Sequence, residues 1–247
     1  MSRFVRMEIH DPHVAFATTL RRLRPAIERA YYAAFAASDA SNGALREYQW
    51  VPFNDSYAGE IMGEMLPRIE RGSVDREVLY ANAIAEDLHC DMQATVVVLF
   101  ADDLLQRFAQ KVLGKKIGLD GYGPLYRGVH LTSLLRATTN CVRHVSEWED
   151  LSFPYRELND AESNDERKAI QSIEVLQKAY GIGRHERIRD FVSWHTVVTI
   201  DGLYGTNPPD YQRFEDALFE GARDIGKTAG PQVEERLARV VPPAPSA

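Results

Sequence analysis

The chain is poor in the residues that staple or anchor a protein. It has only two cysteines in 247 residues, Cys90 and Cys141. They lie far apart, each inside an apolar-periodic stretch, with neither a disulfide framework nor zinc spacing. Free thiols in a reducing cytosol are the expected state. No hydrophobic run is long enough to cross a bilayer: the most apolar stretch, Ala94 to Ala101, is about half a span and stops at Asp102 and Asp103. The N-terminal MSRFVRMEIHDPH lacks the apolar centre of a signal peptide. No net positive charge is present either. Lys and Arg number 29 against 36 Asp and Glu, a formal charge of −7, which argues against non-specific coating of nucleic acid but leaves room for a local basic patch. These absences point to a cytoplasmic protein with no membrane partner.

What is present is helical periodicity. Hydrophobic residues make up 45% of the chain and charged residues 26%, enough to bury a full core. From Pro12 to about Ser38, Val14, Leu20, Leu23, Ile27, Tyr31 and Phe35 recur at helical spacing. Asp11 can cap this helix, and Pro25 predicts a kink or a junction of two helices. A shorter helix fits Ser56 to Arg71. The longest pattern, Asp75 to about Lys115, carries Ile84, Leu88, Met92, Val96, Leu99 and Leu104 as its expected core stripe, with Ser73 or Asp75 as cap. Gly114 and the run GLDGYGP end it. Further helices fit Leu125 to Glu149, Ala161 to Tyr180 with a stop at Gly181, and Asp210 to about Ile225. Residues 186–204 fit strand or helix. The expected fold is therefore all-α: a helical bundle with one long central helix and additional C-terminal helices. It forms one domain over 1–240, with its core at about 75–180 and a disordered tail at 241–247.

The segment LTSLLRATTNCVRHVSEWED, Leu131 to Asp150, carries the chemistry. At 100° per residue, Leu131, Leu135, Thr138, Val142 and Val145 fall on one side. Arg136, Asn140, Arg143, His144 and Glu147 fall on the other. An imidazole titrates near neutrality, so His144 can serve as general acid or base. Arg136 or Arg143 can hold a phosphate, Asn140 can orient the imidazole or a ribose hydroxyl, and Glu147 can fix the histidine tautomer. A solvated helix face with a Glu147–Arg143 pair explains the same pattern without function.

The run Asn140-Cys-Val-Arg143-His144-Val-Ser-Glu147-Trp148 resembles an Asn-x-x-Lys/Arg-His-x-x-Glu-Trp signature in a group of uncharacterised bacterial helical proteins. More loosely, the segment resembles the HEPN superfamily of helical-bundle nucleases and nucleotide-binding proteins, whose motif sets an Arg, often a polar residue, and a His on one helix. Asn140 and His144 match its second half. Thr139 stands where the Arg would precede Asn140, so Arg136 or Arg143 would supply the guanidinium. The resemblance implies metal-independent RNA cleavage at a homodimer interface. It also implies a setting in a toxin–antitoxin or phage-defence system, with a protein antitoxin or regulator as partner. The other reading is a non-catalytic helical protein binding a partner through the same strip or through the N-terminal arginines Arg21, Arg22, Arg24 and Arg29.

No cofactor is expected. Glu86, Asp87, His89 and Asp91 cluster on the long helix but lack a matching Glu-x-x-His on a second one, so no metal site is assigned. GLDGYGP lacks the Lys-Ser/Thr of a P-loop, and no nucleophile elbow occurs.

Overall fold

The computed structural model describes residues 12–50, 76–119, 121–144, 161, 163–182, 192–202 and 208–229. Among these are six helices and one two-stranded hairpin, an all-α bundle. The elements are α1 (Pro12–Trp50), α2 (Arg76–Leu113), β1 (Leu125–Tyr126), β2 (Val129–His130), α3 (Leu131–Arg143), α4 (Asn164–Tyr180), α5 (Val192–Asp201) and α6 (Tyr211–Thr228). The expected helix at 56–71, the caps at Asp11, Ser73 and Asp75, and the tail at 241–247 lie outside the described residues.

The long pair α1 and α2 forms the most extensive helix interface, and α2 also packs on α3, α5 and α6. Helix α1 runs without interruption through Pro25, so no junction of two helices occurs there. Its buried face carries Phe16, Leu20, Ile27, Tyr31 and Ala34, whereas Leu23 is exposed.

Helix α2 corrects the expected stripe. Ile84, Leu88, Met92 and Val96 are exposed, Met92 by 68%. Leu104 is buried as expected, and the rest of the buried face is built from Ala83, Cys90, Ala94, Val97, Val98, Ala101, Leu105 and Phe108. Small residues let a long helix lie in the middle of a bundle, and apolar residues on both faces leave the sequence period unable to choose the inner one. The core as a whole draws on all six helices, from Phe16 to Ile225.

Helix α3 starts later than the pattern suggested. Leu125 pairs with His130 and Tyr126 with Val129 in an antiparallel hairpin. Its turn residues Arg127 and Gly128 both have positive φ, 49° and 76°, the geometry whose twist suits a two-residue hairpin. Arg127 Nη1 donates to the carbonyl of Tyr180, 2.8 Å away at the C-terminus of α4, where a cation complements the helix dipole. Helix α4 opens on a capping box between Ser163 and Glu166 and closes on Gly181, which takes the left-handed conformation. Residues 192–201, ambiguous in sequence, are helix. Asp210 caps α6 through its side chain.

The loop between α2 and α3 is held at both ends. Gln106 on α2 donates to the Ile117 carbonyl and accepts from its N–H, each at 2.9 Å. Further on, Gly123 N–H donates to Asp224 of α6 at 3.0 Å. At Gly123 φ is +83°, and a Cβ would lie 2.8 Å from the Gly221 Cα on α6. Gly123→Ala therefore combines an unfavourable backbone conformation with a backbone collision. We expect it to destabilise the protein by at least about 2 kcal/mol, read from urea unfolding. Unchanged stability would show that this loop does not close against α6.

Candidate functional site

Helix α3 is buried on nearly every side: Leu131, Thr132, Ser133, Leu134, Leu135, Ala137, Thr138, Thr139 and Cys141 are all inside. The half-buried exceptions in that span, Arg136 and Asn140, lie one turn apart on one face. Each has a partner. Arg136 Nη1 lies 3.1 Å from Asp102 Oδ2 on α2, and that carboxylate is buried. Asn140 donates to Ser172 Oγ on α4 at 3.3 Å.

This face lines a cleft of about 950 Å³ between α3, α4, the hairpin and the loop after α2. Ser133, Arg136 and Asn140 supply one wall. Lys168, Gln171, Glu174, Val175 and Lys178 of α4 supply another, and Lys116 to Leu119, Gly121 and Gly128 to His130 close the end. The volume suits a small-molecule or nucleotide-sized group. Four formally cationic side chains, Lys116, Arg136, Lys168 and Lys178, face one carboxylate, Glu174. A concentration of positive charge on a chain of net charge −7 is a local field for an anion. Asp102 tempers it at Arg136, Asp165 accepts from Lys168 at 3.0 Å, and Lys178 donates to the Gly128 carbonyl at 3.0 Å.

The five candidate residues divide. Arg136 and Asn140 are in the cleft; Arg143 and His144 are exposed beyond its lining, and Glu147 lies outside the described residues. The helix does not continue to Glu149 as a regular element within the described residues. It ends at Arg143, and His144 is the C-cap with φ −126° and ψ 24°, its N–H donating to the Asn140 and Cys141 carbonyls. The 100° projection that placed His144 on the Asn140 face therefore stops one residue short of it. No glycine or proline marks this end, which is why the pattern ran on.

Sequence reasoning missed His130, Lys116, Lys168 and Lys178, which come from three separate segments and share no spacing. Of the arginines on α1, Arg24 is committed elsewhere: it meets Glu215 at 2.8 Å and sits over the Tyr211 ring. The cysteines offer no nucleophile. Burial, aided by the Asp91 charge, pushes both thiols up to about 12, so they stay protonated at neutral pH. Among the described residues no group of three or more His, Cys, Asp or Glu side chains is placed to hold a metal ion, and no helix is long and apolar enough to cross a membrane.

Comparison with family models, curated proteins and solved structures finds no match to this chain.

The buried Asp102 makes a sharp test. Removing Arg136 leaves a carboxylate inside the bundle beside Gln106, whose Nε2 donates to it at 3.4 Å. Arg136→Ala is expected to cost about 2 to 3 kcal/mol, allowing for the partial exposure of the guanidinium. Adding Asp102→Leu to it should recover part of that loss. Additive losses in the urea-derived cycle would show that the two groups are not coupled.

Proposed function

We propose that the chain is an RNA-binding, HEPN-like endoribonuclease that works without metal, and that the cleft beside α3 holds the RNA backbone. The observation that carries this reading is the cluster of Lys116, Arg136, Lys168 and Lys178 around one cleft of an acidic chain. Ammonium and guanidinium groups neutralise phosphates, and the planar Arg fork can bond two phosphate oxygens.

Chemistry would occur where the backbone leaves the cleft at the C-terminal end of α3. His144 takes the proton of a ribose 2′-hydroxyl, and the 2′-oxygen bonds to phosphorus as the 5′-oxygen leaves. That oxygen collects a proton from the matching histidine of a second copy, while Arg143 stabilises the charge on the crowded phosphorus and Arg136 holds a neighbouring phosphate in the cleft. The resemblance of the Asn140–His144 segment to the HEPN motif supports this assignment, and with it the homodimer, a protein antitoxin or regulator as partner, and a role in toxin–antitoxin or antiviral defence systems. A cytoplasmic location accords with two free cysteines.

A second reading, a non-catalytic partner-binding protein, is favoured by one observation: Arg136 and Asn140 already hold intramolecular partners.

Incubation with total RNA in the presence of chelator separates the two. Cleavage by the wild type, reduced at least about a hundredfold in His144→Ala with unfolding unchanged, is the outcome of the nuclease reading. Equal behaviour of the two proteins would remove His144 from the mechanism. Absence of cleavage in both would leave the partner-binding reading.

A further inference from the structure

His130 stands at the N-cap of α3, yet its side chain makes no capping bond there. Its Nδ1 lies 3.0 Å from the Gly123 carbonyl oxygen. A carbonyl oxygen only accepts, so Nδ1 carries the hydrogen, and in the neutral ring Nε2 is the acceptor. The ring is also held in place by what Gly121 lacks: a Cβ there would fall 1.8 Å from His130 Cδ2. Tautomer and ring position are thus set by the backbone of one loop, which is itself tied to α6 through Gly123 and Asp224.

This imidazole lines the cleft together with Lys116 from the loop after α2, Arg136 from α3, and Lys168, Glu174 and Lys178 from α4. Those neighbours are mainly cationic. A phosphodiester bound among them would place negative charge beside the ring, where it favours an imidazolium.

Resting on the reading of the cleft as a phosphate site, we propose that His130 is its proton-exchanging group, so that binding of an RNA phosphodiester draws a proton from solvent onto Nε2. The imidazolium then donates to a phosphate oxygen and keeps its Nδ1–H bond to Gly123. RNA binding is thereby linked to proton uptake, tighter on the acid side of neutrality.

The test uses the full chain and a short 2′-O-methyl oligouridylate with hydroxyl ends. This probe lacks the 2′-hydroxyl needed for cleavage, and its diesters keep one charge each across the pH range. In the wild type, nitrogen NMR should show the Nδ1–H tautomer at His130. Calorimetry in buffers of different ionisation enthalpy should show net proton uptake on binding, with affinity about threefold or more higher at pH 6 than at pH 8. His130→Asn places an amide nitrogen where Nδ1 was, retaining a donor for Gly123 while removing Nε2. It should still bind the oligonucleotide, and lose the pH dependence and proton uptake.

The opposite tautomer, or linkage that persists in His130→Asn, overturns the proposal. So does binding that perturbs the amides of Lys116 and Arg136 without net proton uptake, while leaving the cleft reading in place. No binding by the wild type between pH 6 and 8 overturns both.

Discussion

A carboxylate inside the bundle needs a counter-charge, and the way Asp102 obtains one organises the candidate site. Asp102 sits on the central helix α2, nearly sealed from solvent, with Arg136 of α3 at 3.1 Å. Gln106, one turn along α2, lies beside the same carboxylate and clamps Ile117 at the start of the following loop. The ion pair ties α3 to α2, and the clamp ties the start of the intervening loop to the same stretch of α2. The cleft is the space that remains once α4 packs on α3. Such a pair gives little net stability relative to an apolar replacement, since both charges lose water on folding. Its consequence is positional, because it keeps a guanidinium in one wall of a basic cleft.

That positioning separates two roles that the sequence strip had merged. The cleft gathers charge from three segments and suits holding an anion. The end of α3 presents Arg143 and His144 at the surface and suits chemistry on a chain that extends past the cleft. On this account binding and cleavage are adjacent functions of one helix, and a second copy would complete the latter. His130, which the strip did not include, sits with the binding groups.

Several helix limits were legible where a residue carries its own local physics, although the Ser163–Glu166 capping box, which starts α4 three residues after the expected Ala161, was not read. Gly181 ends α4 in the left-handed conformation, Asp210 caps α6, and Gly114 follows the last turn of α2 with φ +72°. Signals failed where two explanations shared one pattern. Leu88 and Met92 fit the period of α2 as well as Val97 and Val98 do, and only packing inside the bundle selects the latter. The hairpin at 125–130 was hidden because Leu125, Tyr126 and Val129 also suit a helix, and its turn depends on Arg127 adopting positive φ. Of the site, Arg136 and Asn140 were visible as helix neighbours. Lys116, His130, Lys168 and Lys178 meet only through the tertiary fold, and no spacing in the chain announces them.

The central claim is that this cleft recognises RNA through its charge, and the salt dependence of binding measures it most directly. For the non-cleavable oligouridylate, the logarithm of affinity should fall linearly with the logarithm of salt concentration. Replacing Lys116, Lys168 and Lys178 by Gln should make that slope shallower by about 0.7 for each lysine in phosphate contact. A slope and affinity identical to those of the wild type in the triple variant would contradict the account.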